Sequence, residues 1–222
     1  MGLVIVAAGA SRRMRTIDKV WAPLGDQPVI AHSILSLAPH ASAVALVVRP
    51  EHVDRASHHF MSRFPHLTVV PGGPERRDSV ALGLAALPRG DVIAVHDAAR
   101  PLVPASLLRA GLELLRRCDA AIPVEPLHDT IKEVDGDGRV ARTLAREHLF
   151  AAQTPQLFRS DLLRMMHERA QSHRASATDD AVLLEQSGYA VHTFPGHRYN
   201  FKITTEDDLR MARCLVRDPV TT

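Results

Sequence analysis

Short apolar runs alternate with amphipathic stretches through the first half of the chain. Leu3–Val6, Val44–Val48, Leu67–Val70, Val92–Val95 and Ala120–Val124 read as strands buried on both faces, because no polar residue interrupts them except Thr68. Between them, Val29–Leu37 places Ile30, Ile34 and Leu37 on one helical face, Glu51–Phe64 reads as helical, and Asp78–Leu87 repeats through Val80, Leu84 and Leu87. Pro104–Arg117 predicts a further helix, with proline in its first turn and Arg116 and Arg117 closing it against the dipole. Strands alternating with helices in this way predict an α/β fold, a mostly parallel twisted sheet covered by helices on both faces. Ligands of such sheets bind beyond the carboxyl ends of the strands. Three turns fall at those ends: Ala7–Ser11, Gly72–Ser79 and His96–Arg100.

The second half departs from alternation. Asp129–Val134 and Arg139–Leu144 flank Asp135-Gly136-Asp137-Gly138, a strong hairpin signal. Neither arm is very apolar, and a two-stranded ribbon is marginal alone, so the hairpin reads as an arm reaching into a second subunit. A solvated hairpin lying on its own sheet is the alternative. Phe150–Pro155 reads as a strand and Asp161–Gln171 as a helix. Thr178-Asp179-Asp180 caps a helix through Leu184 that ends before Gly188. Val191–Phe194 and Tyr199–Ile203 read as extended. Thr204 or Thr205, followed by Glu206, Asp207 and Asp208, opens the last helix in the expected polarity. With no repeat or interdomain linker, residues 1–222 are expected to form one domain with the arm, at about 129–150, inserted for dimerisation.

Composition narrows the function classes. The 222 residues are 45% hydrophobic and 23% charged, with a formal net charge of +2. That charge is too small to imply a nucleic-acid surface, so what matters is where the cations cluster. Cys118 and Cys214 lack CxxC spacing, which argues against a disulfide or zinc framework. The apolar run at the N-terminus is too short for a secretory signal, and no segment approaches the roughly 20 apolar residues of a membrane span. A cytoplasmic protein is expected.

The chemistry is concentrated in two stretches. In LVIVAAGASRRMRTIDK, a buried strand breaks into small residues, Ala7, Ala8, Gly9 and Ala10, and then into Arg12, Arg13, Arg15 and Lys19. Small residues let backbone amides approach a ligand, and the cations suit polyphosphate. The alternative is a core strand with a solvated basic loop. Neither the Rossmann fingerprint nor a Walker loop is present. In HDAARP, the carboxylate of Asp97 surfaces at a strand end beside Arg100. With nucleotide phosphates in the crevice, Asp97 could hold Mg²⁺, which takes one or two protein carboxylates plus phosphate oxygens. An Asp–Arg pair closing a turn is the bland reading of the same residues. The histidine pairs His58-His59 and His192…His197 make no metal constellation.

VIVAAGASRRM…DK, PGGPERRDSVALGL, HDAARP, PVEPLHDTIKEV, QTPQLF, TDDAVLLEQSGYAV and YNFKITTEDDL occur in this order. Together they resemble the 2-C-methyl-D-erythritol 4-phosphate cytidylyltransferases, over essentially Leu3 to Leu215. The resemblance implies a Rossmann-like nucleotidyltransferase fold and transfer of CMP from CTP to methylerythritol phosphate. It also implies a Mg²⁺ requirement and a homodimer joined through the β-arm, with no nucleic-acid or membrane partner. It further implies that Ala7, Ala8, Gly9 and Ala10 line the CTP site, and that Gly73 and Ser79 contact cytosine and ribose. Arg13 and Lys19 match the residues that hold the triphosphate, Asp97 the residue near metal and sugar phosphate, and Lys202 a lysine on the transferred phosphate. Arg100, Thr154 and Thr178 match the acceptor pocket, completed by Thr130 and Arg146 from a neighbouring subunit. Arg12 and Arg15 stay solvated neighbours on this reading.

The chain departs from the family pattern at Val6 and Asp18, where proline is usual, and at the bulky Trp21. These place loop geometry in question more than the reaction. Sister pentitol or pentulose phosphate cytidylyltransferases are the nearest rival. Ala99 within HDAARP and Lys132 within DTIK separate the chain from them. A non-catalytic nucleotide-binding protein would have no use for Arg13, Lys19, Asp97 and Lys202 together.

Overall fold

The computed structural model describes residues 1–9, 18–173 and 179–217. In chain order the elements are β1 (Gly2–Ala7), the short β2 (Pro23–Leu24) and β3 (Gln27–Pro28), α1 (Val29–Leu37), β4 (Ala43–Val48), α2 (Val53–Phe60), β5 (Leu67–Pro71), α3 (Arg76–Ala86), β6 (Val92–Asp97), α4 (Ser106–Leu114) and β7 (Ala120–Pro126). There follow β8 (Ile131–Val134), β9 (Val140–Leu144), β10 (Phe150–Ala152), β11 (Gln156–Arg159), α5 (Ser160–His173), α6 (Ala181–Gln186), β12 (His192–Pro195) and α7 (Glu206–Arg217).

The main sheet runs β10-β7-β11-β6-β1-β4-β5, with β12 parallel to β7. Its heart, β5-β4-β1-β6, is wholly parallel. Period-two alternation divides the core between the two faces. Leu3 and Ile5 of β1 and Leu46 of β4 point to one side, packing with Ile30 and Ile34 of α1, Phe60 of α2 and Leu108 of α4. Val4, Val6, Ala45 and Val47 point to the other, against Val80 and Leu84 of α3 and Leu163 and Met166 of α5. The predicted α/β architecture, with helices on both faces, is therefore the observed one.

Several element boundaries differ from the sequence pattern. The helix expected over Glu51–Phe64 is α2 alone, preceded by a 3₁₀ turn at Pro50–His52. The helix expected through Arg117 ends at Leu114, so Arg116 lies beyond it and pairs with Glu113 at 3.2 Å. The strand expected over Phe150–Pro155 is β10 alone, ending at Ala152. After a cis Thr154–Pro155 bond comes a strand the pattern did not predict, β11, which slots antiparallel between β6 and β7. Tyr199–Ile203 is not a strand. Long-range bonds hold it instead: Asn200 Nδ2 donates to Gln153 Oε1 and the Thr154 carbonyl, and the Ile203 amide to the Ala99 carbonyl. The cap of α6 comes from Asp179, whose carboxylate accepts from the Val182 amide, while Asp180 turns inward. The start of α7 matches expectation, with Asp208 accepting from the Thr204 and Thr205 amides and Thr205 Oγ1 accepting in return from Asp208.

The β8–β9 hairpin forms its own two-stranded sheet. Nearly all of it is exposed, including Val134 and Val140, and Phe150 beyond its base is 49% exposed.

Candidate active site

The chain runs from β1 to β4 and β5 on one side, then crosses back to β6 on the other side of β1. That reversal opens a crevice at the carboxyl ends of β1 and β6. A cavity of about 290 Å³ fills it. Val6 through Gly9 from the end of β1 form one wall, with Lys19 and Val20 beside them. Gly73 through Arg76 and Ser79, from the turn into α3, form another, and Asp97, Ala99 and Lys202 complete it.

Each wall has a local cause. Gly72 and Gly73 sit where the backbone passes too close for a side chain: a Cβ on Gly72 would lie 2.3 Å from the Cβ of Ala8, and one on Gly73 2.5 Å from that of Asp78. Ser79 is buried and its hydroxyl closes the turn, accepting from the Gly73 amide at 3.2 Å and donating to the Glu75 carbonyl at 3.1 Å. Lys19 follows Asp18, which is anchored to Arg49 at 2.6 Å and His52 at 2.8 Å. Trp21 is buried, with the Arg55 guanidinium 4.0 Å from its ring centre and Phe60 stacked nearby. Two of the three departures noted in the sequence, Asp18 and Trp21, thus have a structural use: they tether the chain just after the basic stretch.

Asp97 sits at the base of the cavity, its side chain 11% exposed. Its Oδ1 accepts from Arg76 Nε at 3.1 Å and its Oδ2 from Lys202 Nζ at 2.7 Å. Burial alone would raise its pKa, but the Arg76 and Lys202 cations outweigh it and hold the carboxyl far below the usual carboxylate range. Arg76 continues to Asp180, whose Oδ2 accepts from Nη1 at 2.8 Å, and Nη2 finds no partner among the described residues. Behind Asp97, its own amide donates to Thr154 Oγ1 at 3.1 Å. That hydroxyl donates in turn to His96 Nδ1 at 2.9 Å, because His96 Nε2 carries the proton it gives to the Arg100 carbonyl at 3.3 Å. Burial, aided by the Arg100 charge, lowers the His96 pKa to about 4, which keeps the ring neutral.

The structure therefore brings Ala7, Ala8, Gly9, Lys19, Gly73, Ser79, Asp97 and Lys202 to one cavity. Thr154 is nearby but buried, its hydroxyl engaged by His96 and Asp97. Arg100 points to the Asn200 and Ala152 carbonyls, at 2.8 and 3.2 Å. Thr130 and Arg146 are exposed at the hairpin and do not line the cavity, with Arg146 donating to the His128 carbonyl. Ala10, Arg12, Arg13, Arg15 and Thr178 lie outside the described residues. Sequence reasoning missed Arg76, His96 and Asp180. Arg76 stood beside Arg77 in a turn without any mark to separate them, although the PERRDS segment was itself visible.

The described residues contain no group of three or more His, Cys, Asp or Glu side chains able to hold a metal. Asp97 nonetheless keeps a free lone pair on each oxygen beyond its Arg76 and Lys202 bonds. That donor set fits a cation carried on substrate phosphates better than one held by protein alone.

Comparison with known proteins accords with this geometry. The family model described as IspD: 2-C-methyl-D-erythritol 4-phosphate cytidylyltransferase matches residues 1–218. A relative of that name from Dehalococcoides mccartyi is 41% identical, covering 98% of this chain and 96% of its own length. Another from Halalkalibacterium halodurans is 34% identical, covering 97% and 96%. Among solved structures, the 2-C-methyl-D-erythritol 4-phosphate cytidylyltransferase of Thermus thermophilus matches with a TM-score of 0.82 at 31% identity, covering 96% of this chain and 98% of that one. The 4-diphosphocytidyl-2C-methyl-D-erythritol synthase of Anaerococcus prevotii matches with a TM-score of 0.86 at 26% identity, covering 97% of each. No helix among the described residues is long and apolar enough to cross a membrane. A chain matched over nearly its whole length by sequence and by fold belongs to the 2-C-methyl-D-erythritol 4-phosphate cytidylyltransferase family.

Proposed function

We propose that this chain transfers CMP from CTP to 2-C-methyl-D-erythritol 4-phosphate, giving 4-(cytidine 5′-diphospho)-2-C-methyl-D-erythritol and pyrophosphate, a step of non-mevalonate isoprenoid precursor synthesis. The observation that carries the reading is the meeting of Lys19, Asp97 and Lys202 in one cavity with the small-residue end of β1 and the Gly73–Ser79 turn. A phosphate oxygen of the acceptor attacks the α-phosphorus of CTP, the bond to the β-phosphate bridging oxygen breaks, and pyrophosphate leaves. The nucleophile is already an anion, so no general base is required. The barrier is the approach of one anion to another, which fixed cations and in-line positioning lower.

Lys19 sits where it can take the triphosphate, with Arg13 from the preceding basic stretch of sequence as its expected companion. Lys202, held by Asp97, faces the transferred phosphate. Ala7, Ala8, Gly9 and Ala10 offer backbone to CTP, and Gly73 and Ser79 border the nucleoside. Asp97 would hold Mg²⁺ together with CTP phosphate oxygens, the ion supplying further neutralisation of negative charge. Arg100 and Thr154 support the wall toward the acceptor, with Thr178 as a further contact. Thr130 and Arg146 reach the acceptor pocket of a second copy in a homodimer built on the hairpin, the arm of a one-domain chain. The two unpaired thiols, Cys118 and Cys214, suit a reducing cytoplasm.

Pyrophosphate release tests the assignment. Lys19→Ala and Lys202→Ala should each lower kcat by about a hundredfold or more while the melting temperature holds, the usual effect of removing one preorganised charge. Near-normal turnover in either variant would refute its role.

A further inference from the structure

One line of charge leaves the cavity and runs into the core. Lys202 and Arg76 share the carboxylate of Asp97, at 2.7 and 3.1 Å. Arg76 then reaches Asp180 at 2.8 Å, and the other oxygen of Asp180 accepts from His167 Nε2 at 3.0 Å. Asp180 is 1% exposed and His167 2% exposed, and neither lines the cavity. The elements involved are remote in sequence: Arg76 opens α3, Asp97 ends β6, His167 lies in α5, Asp180 precedes α6 and Lys202 precedes α7.

We propose that Asp180, oriented by His167, is a positioning residue that acts through Arg76 to set the aim of Asp97 and hence of Lys202. This deepens the cytidylyl-transfer reading and rests on it for its catalytic consequence. The guanidinium is a planar fork whose donors point in fixed directions, so one end bound to Asp180 dictates where the other end meets Asp97. Only Nε contacts Asp97, which leaves Oδ2 to Lys202. If Asp180 lost its charge, Arg76 would have one carboxylate partner instead of two. It would turn more fully onto Asp97 and compete there with Lys202. A buried carboxylate without such work would be an odd presence, since isolated burial strongly disfavours its charge. Here burial pushes the Asp180 pKa up, and Arg76 and His167 more than reverse it.

Two measurements decide the matter. Coupling along a chain is reciprocal, so the first perturbs the exposed end and reads the buried one in the free protein. Lys202→Met should move the imidazole Nε2–H resonance of His167 in the proton–nitrogen spectrum. The ring of His66, bonded far away to the Ala38 carbonyl, should stay put. An unmoved His167 resonance would overturn the proposal, and this reading is independent of any activity. The second uses Asp180→Asn, which keeps the shape of the side chain. Its kcat in pyrophosphate release should fall about tenfold, with KM for CTP within about twofold of wild type. Unchanged kcat, or a loss confined to KM, would overturn it. Should wild type itself release no pyrophosphate from CTP and methylerythritol phosphate, the functional reading fails while the resonance shift still decides the coupling.

Discussion

Neutral His96 is the residue on which the aim of Asp97 rests from behind, and its buried state has a thermodynamic signature. In the unfolded chain its imidazole takes a proton as pH falls through about 6.5, whereas in the folded protein it resists until about 4. Stability from this group is therefore complete above pH 6.5 and is lost as pH falls toward 4. The loss amounts to about 2 kcal/mol at pH 5 and about 3 kcal/mol when complete. His96→Asn retains an oxygen to accept from Thr154 but cannot titrate. Urea unfolding at pH 7 and pH 5 without metal or nucleotide should show wild type losing about 2 kcal/mol more than this variant. Equal losses would contradict a neutral buried ring. Asp97 and Lys19 were legible in the pattern as charges following apolar strands, whereas Lys202 was legible only through the family resemblance, since Tyr199–Ile203 is not a strand. Their supports were not, because nothing local tells that Thr154 bonds His96, or that Asp180 faces Arg76 across a sequence separation of 104. Such partnerships exist only once the sheet has formed.

Among elements, the parallel strands were the most legible, since strands buried on both faces must be continuously apolar. β11 was the least. Gln156 begins it yet is buried, because its side chain donates to Asp179 and accepts from the Ala181 amide. The apolar pattern gave Gln156–Arg159 no strand of its own. The β8–β9 hairpin was legible as a hairpin, and the exposed Val134 and Val140 fit burial against another copy better than permanent contact with water. If the arm works across a dimer, mixing Arg146→Ala subunits with Lys19→Ala subunits rebuilds one whole site per mixed dimer. Activity should recover to about a quarter of the wild-type value on random exchange. No recovery despite demonstrated exchange would assign Thr130 and Arg146 no role in a neighbour's site.

At the scale of the whole molecule, a formal charge of +2 hides the organisation of charge that matters. The strand order reverses beside β1, and that reversal gathers Lys19, Arg76, Asp97 and Lys202 into one cavity, with Arg76 and Lys202 on the carboxylate of Asp97. Placing cations around a fixed anion is what a reaction between two phosphate anions requires. The most direct test sets CTP, ATP, GTP and UTP against methylerythritol phosphate, ribitol 5-phosphate and ribulose 5-phosphate, each with Mg²⁺, and compares kcat/KM for pyrophosphate release. CTP with methylerythritol phosphate should exceed every other pair by about a hundredfold or more. Comparable turnover of a pentitol or pentulose phosphate, or of another nucleotide, would contradict the account.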